Sequence, residues 1–316
     1  YYFNLPDTAL KGLRIRALWK LYHYCRQHKF DVVICNRFKM VSLLLQINLL
    51  LKVPLCIGIS HVVNEYHRRY RRFQIKIFAD KHWQFVGVSD AVKDCLISYD
   101  CGFNQKNTHA IPNAIDIEKC ESFQLSKDLA REKLGLPKNK IIIGAIGQLF
   151  PRKGHRFLLS ALTNIKDRFP DVDICIIGKG KEESNLQLQA IKSGLENRVH
   201  LVGFQANALQ YVKAFDVFTM PSLKEGLPLA LLEGMSGRIP LIASNIPEMR
   251  DIVVSAGGLV FTPGDIDQLT KALESYLSLD KITLEKKGQE AFDYLFKNHS
   301  IHNYRYAYRT LIENNS

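Results

Sequence analysis

Several features are scarce in this chain of 316 residues, and each scarcity narrows what it can be. Its cysteines, Cys25, Cys35, Cys56, Cys95, Cys101, Cys120 and Cys175, are scattered and odd in number, with no C-x-x-C pair and no histidines at zinc spacing. That pattern argues against a disulfide scaffold or a zinc module, and reduced thiols in a cytoplasmic protein are the simple expectation. No apolar run reaches the roughly 20 uninterrupted residues of a membrane span. The longest, from Val41 to Ile59, is broken by Gln46, Asn48, Lys52 and Pro54, and reads as a buried helix followed by a strand. No basic-then-apolar secretion signal is visible, because Tyr1 to Pro6 leads straight into a basic amphipathic stretch. Low-complexity tracts and short-period repeats are missing too. GKGKEE (178–183) has only G-x-G, without the third glycine of a dinucleotide fingerprint, and follows the second strand of its series, which argues against a nicotinamide site.

What is present is apolar sequence and positive charge. Nearly half the residues are hydrophobic, enough for two cores, and the length exceeds what one core usually serves. The net charge of +12 is uneven: residues 1–125 carry 18 Lys and Arg against 10 Asp and Glu. Such a field favours anionic partners, whether nucleic acid, an acidic membrane surface or a phosphorylated small molecule.

Short β-rich apolar runs alternate with helical patterns, the order of a parallel sheet covered on both faces. A first series places strands at 31–35, 53–59, 83–89 and 108–113, with helices around 11–28, 39–51, 65–80 and 90–98. A second places strands at 140–147, 172–178, 199–203, 216–220, 239–244 and 257–261, with helices near 154–169, 181–194, 206–214, 228–236, 247–254 and 265–279. The polar segment from Asp116 to Ser126 is the expected linker, giving domains at 1–125 and 126–297. A doubly wound domain normally opens on a strand and a Gly-rich turn. Here the chain opens on a loop and helix, so at about 30 residues per βαβ unit roughly two such units are expected ahead of Tyr1, and the first domain is read as incomplete.

The segment PSLKEGLPLALLEG (221–234) carries the most chemistry. A strand ends at Met220, a loop with Pro221, Glu225 and Gly226 follows, and a helix is predicted from Pro228. Gly226 lets backbone approach a ligand, and the free N–H groups at the helix start suit a diphosphate. In an open parallel sheet the ligand crevice lies beyond the carboxyl ends of the strands, where this loop falls. A carboxylate there can accept paired hydrogen bonds from sugar hydroxyls. Taken alone, Glu225 and Glu233 could equally be a helix cap and a solvated helix residue.

The stretch from Pro221 to Val253 resembles glycosyltransferase family 4, in which two glutamates stand seven residues apart, as Glu225 and Glu233 do. PSLKEGLP, LLEGM, IPLIAS and IPEMRDIV (246–253) match in order and spacing. The resemblance implies an α/β fold of two Rossmann-like domains facing across a cleft (GT-B), with Glu233 on the ribose of a nucleotide and Glu225 facing the transferred sugar. A second match is IGQLFPRKGH (146–155), where the family has a Gly-Arg pair and a downstream Lys-Gly whose cations hold the donor diphosphate. Lys153 and Gly154 fit, while Gln148 replaces the arginine and supplies no charge. The neighbouring Arg152 is a candidate to compensate.

Further matches are GKGKEE, RVHLVGF (198–204) and the terminal helix 292–312. By resemblance Phe204 lies by the base, Gly226 and Leu227 present backbone N–H groups to the diphosphate, and the last helix, 298–316, packs back on the first domain. In that domain DVVIC, VPLCIGISH, VGVSDAV and IPNAID match less tightly. His61, at a strand end, is implied to face the donor sugar.

Other signals read more plainly. Asp171-Val172-Asp173 has metal-binding D-x-D spacing but follows Pro170 on the sheet edge opposite the crevice, so a solvated turn is expected. Asp265 and Asp267 suit a helix start. HRRYRRF (67–73) is either a solvated helix face or a docking patch for an anionic acceptor or acidic membrane.

The resemblance implies a retaining, metal-independent hexosyltransferase with no cofactor beyond its nucleoside diphosphate sugar donor. Bacterial relatives commonly build surface polysaccharide or lipopolysaccharide at the inner face of the cytoplasmic membrane. A glycan or lipid-linked acceptor is therefore expected, with an anionic membrane surface as a further partner of the basic first domain and no nucleic acid. A nucleotide-sugar epimerase, a glycan phosphorylase and a non-catalytic sugar-nucleotide-binding fragment are the competing readings.

Overall fold

The computed structural model describes residues 14–225 and 229–315. The chain separates into two compact units, Tyr1–Asn113 with Tyr304–Ser316, and Ala114–Asn303.

In the first unit four strands run parallel in the order of the chain: β1 (Val32–Asn36), β2 (Leu55–Ser60), β3 (Trp83–Gly87) and β4 (Thr108–Ala110). Every residue of β2 and β3 is buried, as central parallel strands covered on both faces must be. The apolar run from Val41 forms the end of helix Arg37–Leu51, which buries Val41, Leu44 and Leu45 completely. Aromatic rings complete this core: Phe85 and Phe103 meet edge to face at 4.7 Å, and Tyr66 meets Phe103 at 5.0 Å.

In the second unit six parallel strands, β5 (Ile141–Ile146), β6 (Val172–Ile177), β7 (Val199–Leu201), β8 (Val217–Met220), β9 (Leu241–Ser244) and β10 (Leu259–Phe261), take the order β10-β9-β8-β5-β6-β7. The order in which the chain adds strands to the sheet reverses between β5 and β8, the switch point at which such sheets open a ligand crevice. Ile143, Ile174 and Ile176 of the sheet pack with Leu158, Leu162 and Leu269 of the covering helices, all fully buried.

Each predicted strand is present, and three expectations change. The polar segment after Asp116 is not a bare linker: the Asp116 side chain accepts from the Lys119 N–H at 3.1 Å and starts helix Ile117–Phe123, which buries Ile117 and Cys120. The terminal helix is two, Lys281–Asn298 and Ile301–Glu313. They part because Ile115 inserts its backbone there, donating to the His299 carbonyl and accepting from the Ile301 N–H, each at 3.0 Å.

The third change concerns Asp173, which is no solvated turn residue. It lies inside β6, only 1 % exposed, bonded to Lys140 at 2.9 Å and His200 at 2.8 Å. Burial alone would raise its carboxyl pKa, but the hydrogen bonds from His200 and Lys140 outweigh that and hold it below the ordinary value. Arg198 stands 3.8 Å away as a third basic neighbour, and the sequence hides all three because they come from other positions of the chain.

Candidate donor site

Four loops of the second unit meet beyond the carboxyl ends of the strands, and backbone packing explains their glycines. Gly147 N–H donates to the Ile177 carbonyl at 3.0 Å, and Gly178 N–H donates to the Gly203 carbonyl at 2.9 Å, stitching together the loops after β5, β6 and β7. A side chain on Gly178 would place its Cβ 1.8 Å from the Gly147 carbonyl oxygen. Gly154, at φ 69°, ends the short 3-10 turn Pro151–Lys153 and starts helix His155–Ile165. A Cβ there would lie 1.9 Å from the Pro221 carbonyl oxygen, so only glycine admits the loop after β8. Leu223 N–H then donates to the Arg152 carbonyl at 2.7 Å and locks the two loops in register.

This register brings Lys153 to Glu225. The ammonium lies 2.5 Å from Glu225 Oε1, and the Ser222 hydroxyl donates to the same oxygen at 2.8 Å. The carboxylate is 8 % and the ammonium side chain 13 % exposed, so the pair is largely withdrawn from water and its charges are weakly screened. Arg152 is exposed, and its backbone rather than its guanidinium carries the loop contact. Gly226 and Leu227 lie outside the described residues.

Gln148 and Phe204 line one cavity of 740 Å³ with Gly147, Gly178, Lys179 and Lys181. The Phe204 ring is 63 % exposed, with the Lys179 ammonium 5.3 Å from its centroid, an aromatic face available for stacking. Gln205 and Ala208 line both this cavity and a second of 470 Å³, which Glu233 lines with Asp116, Lys119 and Cys120. Burial raises the Glu233 carboxyl pKa above its ordinary value. Burial, reinforced by Glu233, pushes the Cys120 thiol up to about 11. An aromatic face and a carboxylate thus line two cavities that share Gln205 and Ala208, and the loop after β5 that lines the first of them, at Gly147 and Gln148, leads to the lysine paired to a second carboxylate.

His61 belongs to the first unit, just past the end of β2. Its Nε2 is 2.9 Å from Oδ1 of Asn36, the last residue of β1, which fixes the ring's orientation. Burial lowers its pKa; Glu65 opposes that and Arg37 adds to it. Of the HRRYRRF arginines, two are tied locally: Arg71 donates to the Glu65 carbonyl and stands 4.6 Å over Phe38, while Arg72 stands 5.3 Å over Tyr99. Arg68 and Arg69 are exposed. Sequence reasoning assigned no role to Ser222, Asn36 or His155. The first two are recognisable only through the residues they touch, and the third stands at the end of the quoted IGQLFPRKGH.

A parallel sheet whose strand order switches between β5 and β8 defines a doubly wound α/β class. The fold resembles that of Anabaena Alr3699/HepE in a crystal structure with UDP, at TM-score 0.82 and 21 % identity over 94 % of this chain and 82 % of that one. A further HepE structure, with UDP-glucose, gives TM-score 0.80 at 22 % identity over 98 % of this chain and 84 % of that one. Residues 126–293 match the family described as glycosyl transferases group 1, and residues 1–119 match glycosyltransferase family 4. The chain belongs to the group 1 glycosyl transferases, within family 4, with the GT-B fold.

Among curated proteins it is 34 % identical over 167 residues to UDP-Gal:alpha-D-GlcNAc-diphosphoundecaprenol alpha-1,3-galactosyltransferase of Escherichia coli, a match covering 52 % of this chain and 43 % of that enzyme. It is 29 % identical over 177 residues to the lipopolysaccharide core biosynthesis glycosyltransferase LpsE of Rhizobium meliloti, covering 54 % of this chain and 50 % of that one. The chain spans about half the length of the curated relatives it matches.

Proposed function

We propose that this protein transfers a hexose from a nucleoside diphosphate sugar to an acceptor hydroxyl with retention of configuration, in the assembly of a bacterial surface polysaccharide or lipopolysaccharide. The observation that carries the reading is the joining of Lys153 to Glu225 beside the cavities lined by Gln148, Phe204 and Glu233. Phe204 stacks on the base, Glu233 accepts from the ribose hydroxyls, and Lys153 neutralises the diphosphate. Released by the phosphate from its pair with Lys153, Glu225 is free to orient the hexose hydroxyls.

In the transfer step the bond from the anomeric carbon to the diphosphate oxygen breaks as the acceptor oxygen bonds to the same face of that carbon. The departing phosphate oxygen takes the acceptor proton. Lys153 stabilises the charge that develops on the leaving group. The names of the E. coli and Rhizobium relatives support a lipid-linked or lipopolysaccharide acceptor. The basic residues of the first unit, Arg68 and Arg69 among them, suit an anionic membrane face at which such acceptors are found. Among the described residues no helix is long and apolar enough to cross a membrane.

The reading is tested by release of free sugar from a panel of UDP-, GDP-, ADP- and dTDP-hexoses, with Glu225→Ala as the control. Sugar release from one donor, reduced on the order of 100-fold in the variant, is the expected outcome. Nucleotide binding without release from any donor contradicts an enzymatic role.

A further inference from the structure

His155 is the first residue of helix His155–Ile165 and is 5 % exposed, and neither ring nitrogen makes a hydrogen bond of good geometry, the Gln148 backbone being close enough only to offset in part the effects that lower its pKa. A buried imidazole without partners costs free energy that an apolar side chain of similar size would not. Its surroundings are those of the donor site. A Cβ built on Gly147 would meet Lys153 Cδ and Cε at 3.8 Å and His155 Nε2 at 3.9 Å, so the lysine stem and the imidazole border one small space over that glycine. Lys153 is meanwhile held to Glu225. Gln148, on the same loop, supplies no charge.

We propose that His155 hydrogen-bonds the diphosphate of the sugar donor beside Lys153, a contact that forms when the phosphate draws Lys153 away from Glu225. The inference rests on the nucleoside diphosphate sugar reading and adds to it a ligand from this chain's own sequence. Three features support it. The Nε2–H of a neutral imidazole is a hydrogen-bond donor that can reach phosphate oxygen without the desolvation cost of a second buried cation. The ring stands at the amino end of an 11-residue helix, whose N–H groups favour an anion. Gly154 brings the backbone just before it against the loop at Pro221 that leads to Glu225. Burial, then the Lys153 charge, lowers its pKa to about 4, which keeps the unliganded ring neutral at ordinary pH.

The test is calorimetric titration of the whole chain with UDP, GDP, ADP and dTDP and with the matching nucleosides, for wild type, His155→Leu and His155→Asn. For the diphosphate that wild type binds best, His155→Leu is expected to weaken binding roughly 10-fold while leaving nucleoside binding unchanged. His155→Asn, which keeps a donor, recovers part of that loss. The Leu variant is also expected to melt at or above the wild-type temperature, which separates a lost ligand contact from a damaged fold. An unchanged ratio of diphosphate to nucleoside affinity in the Leu variant overturns the assignment and leaves the donor reading standing. If wild type binds none of the diphosphates, the donor reading itself fails and the assignment falls with it.

Discussion

The residues that decide this site are ordinary in type and unusual in company. Glu225 could cap a helix anywhere, but with Lys153 and Ser222 on one oxygen it becomes a charge held in reserve. His155 shows the same effect in stability. Its pKa, lowered by burial and by Lys153 from 6.5 to about 4, means that the unfolded chain binds a proton the folded chain refuses between those values. Its contribution is therefore complete above the unfolded pKa and is lost as pH falls towards the folded one. Urea unfolding of the second unit should lose about 2 kcal/mol between pH 7.5 and pH 5, and His155→Leu should abolish most of that difference. An equal pH dependence in both proteins would show that the ring is not buried neutral.

At the scale of elements, what matters is how closely the loops after β5, β6 and β8 approach one another. Gly154 permits the contact with Pro221 that sets Lys153 against Glu225. Gly154→Ala should lower the melting temperature by several degrees and weaken nucleotide binding at least 10-fold, from combined φ strain and backbone clash. Retained affinity in a calorimetric titration would mean that the loop contact does not position the lysine.

The strands themselves were legible from sequence, because parallel strands buried on both faces are written as apolar runs bounded by Gly, Pro and Asn. The Lys-Gly and spaced-glutamate motifs were legible through resemblance. Pairings across the chain were not. Asp173 with its three basic neighbours, Ile115 breaking the last helix and Asn36 holding His61 are set by which loops and strands meet, and no local periodicity records that. The helix after Asp116 is hidden for a different reason: its 7 residues are too few to show a helical period, although Asp116 is a good cap.

At the scale of the whole molecule, charge is the property to test. The net charge of +12 is concentrated in the first part of the sequence. Sedimentation with vesicles containing phosphatidylglycerol should show binding that is lost by roughly 0.5 M salt and absent with neutral phosphatidylcholine vesicles. Arg68→Glu with Arg69→Glu should weaken it, and salt-independent binding would contradict an electrostatic attachment.

The central claim is that the second unit holds a sugar nucleotide on Phe204, Glu233 and Lys153. A crystal structure of the chain with its tightest-binding nucleoside diphosphate tests that most directly. The account predicts the base against Phe204, the ribose hydroxyls on Glu233 and the diphosphate on Lys153, with the Lys153–Glu225 pair opened. Nucleotide bound elsewhere, or bound with that pair intact, would contradict it.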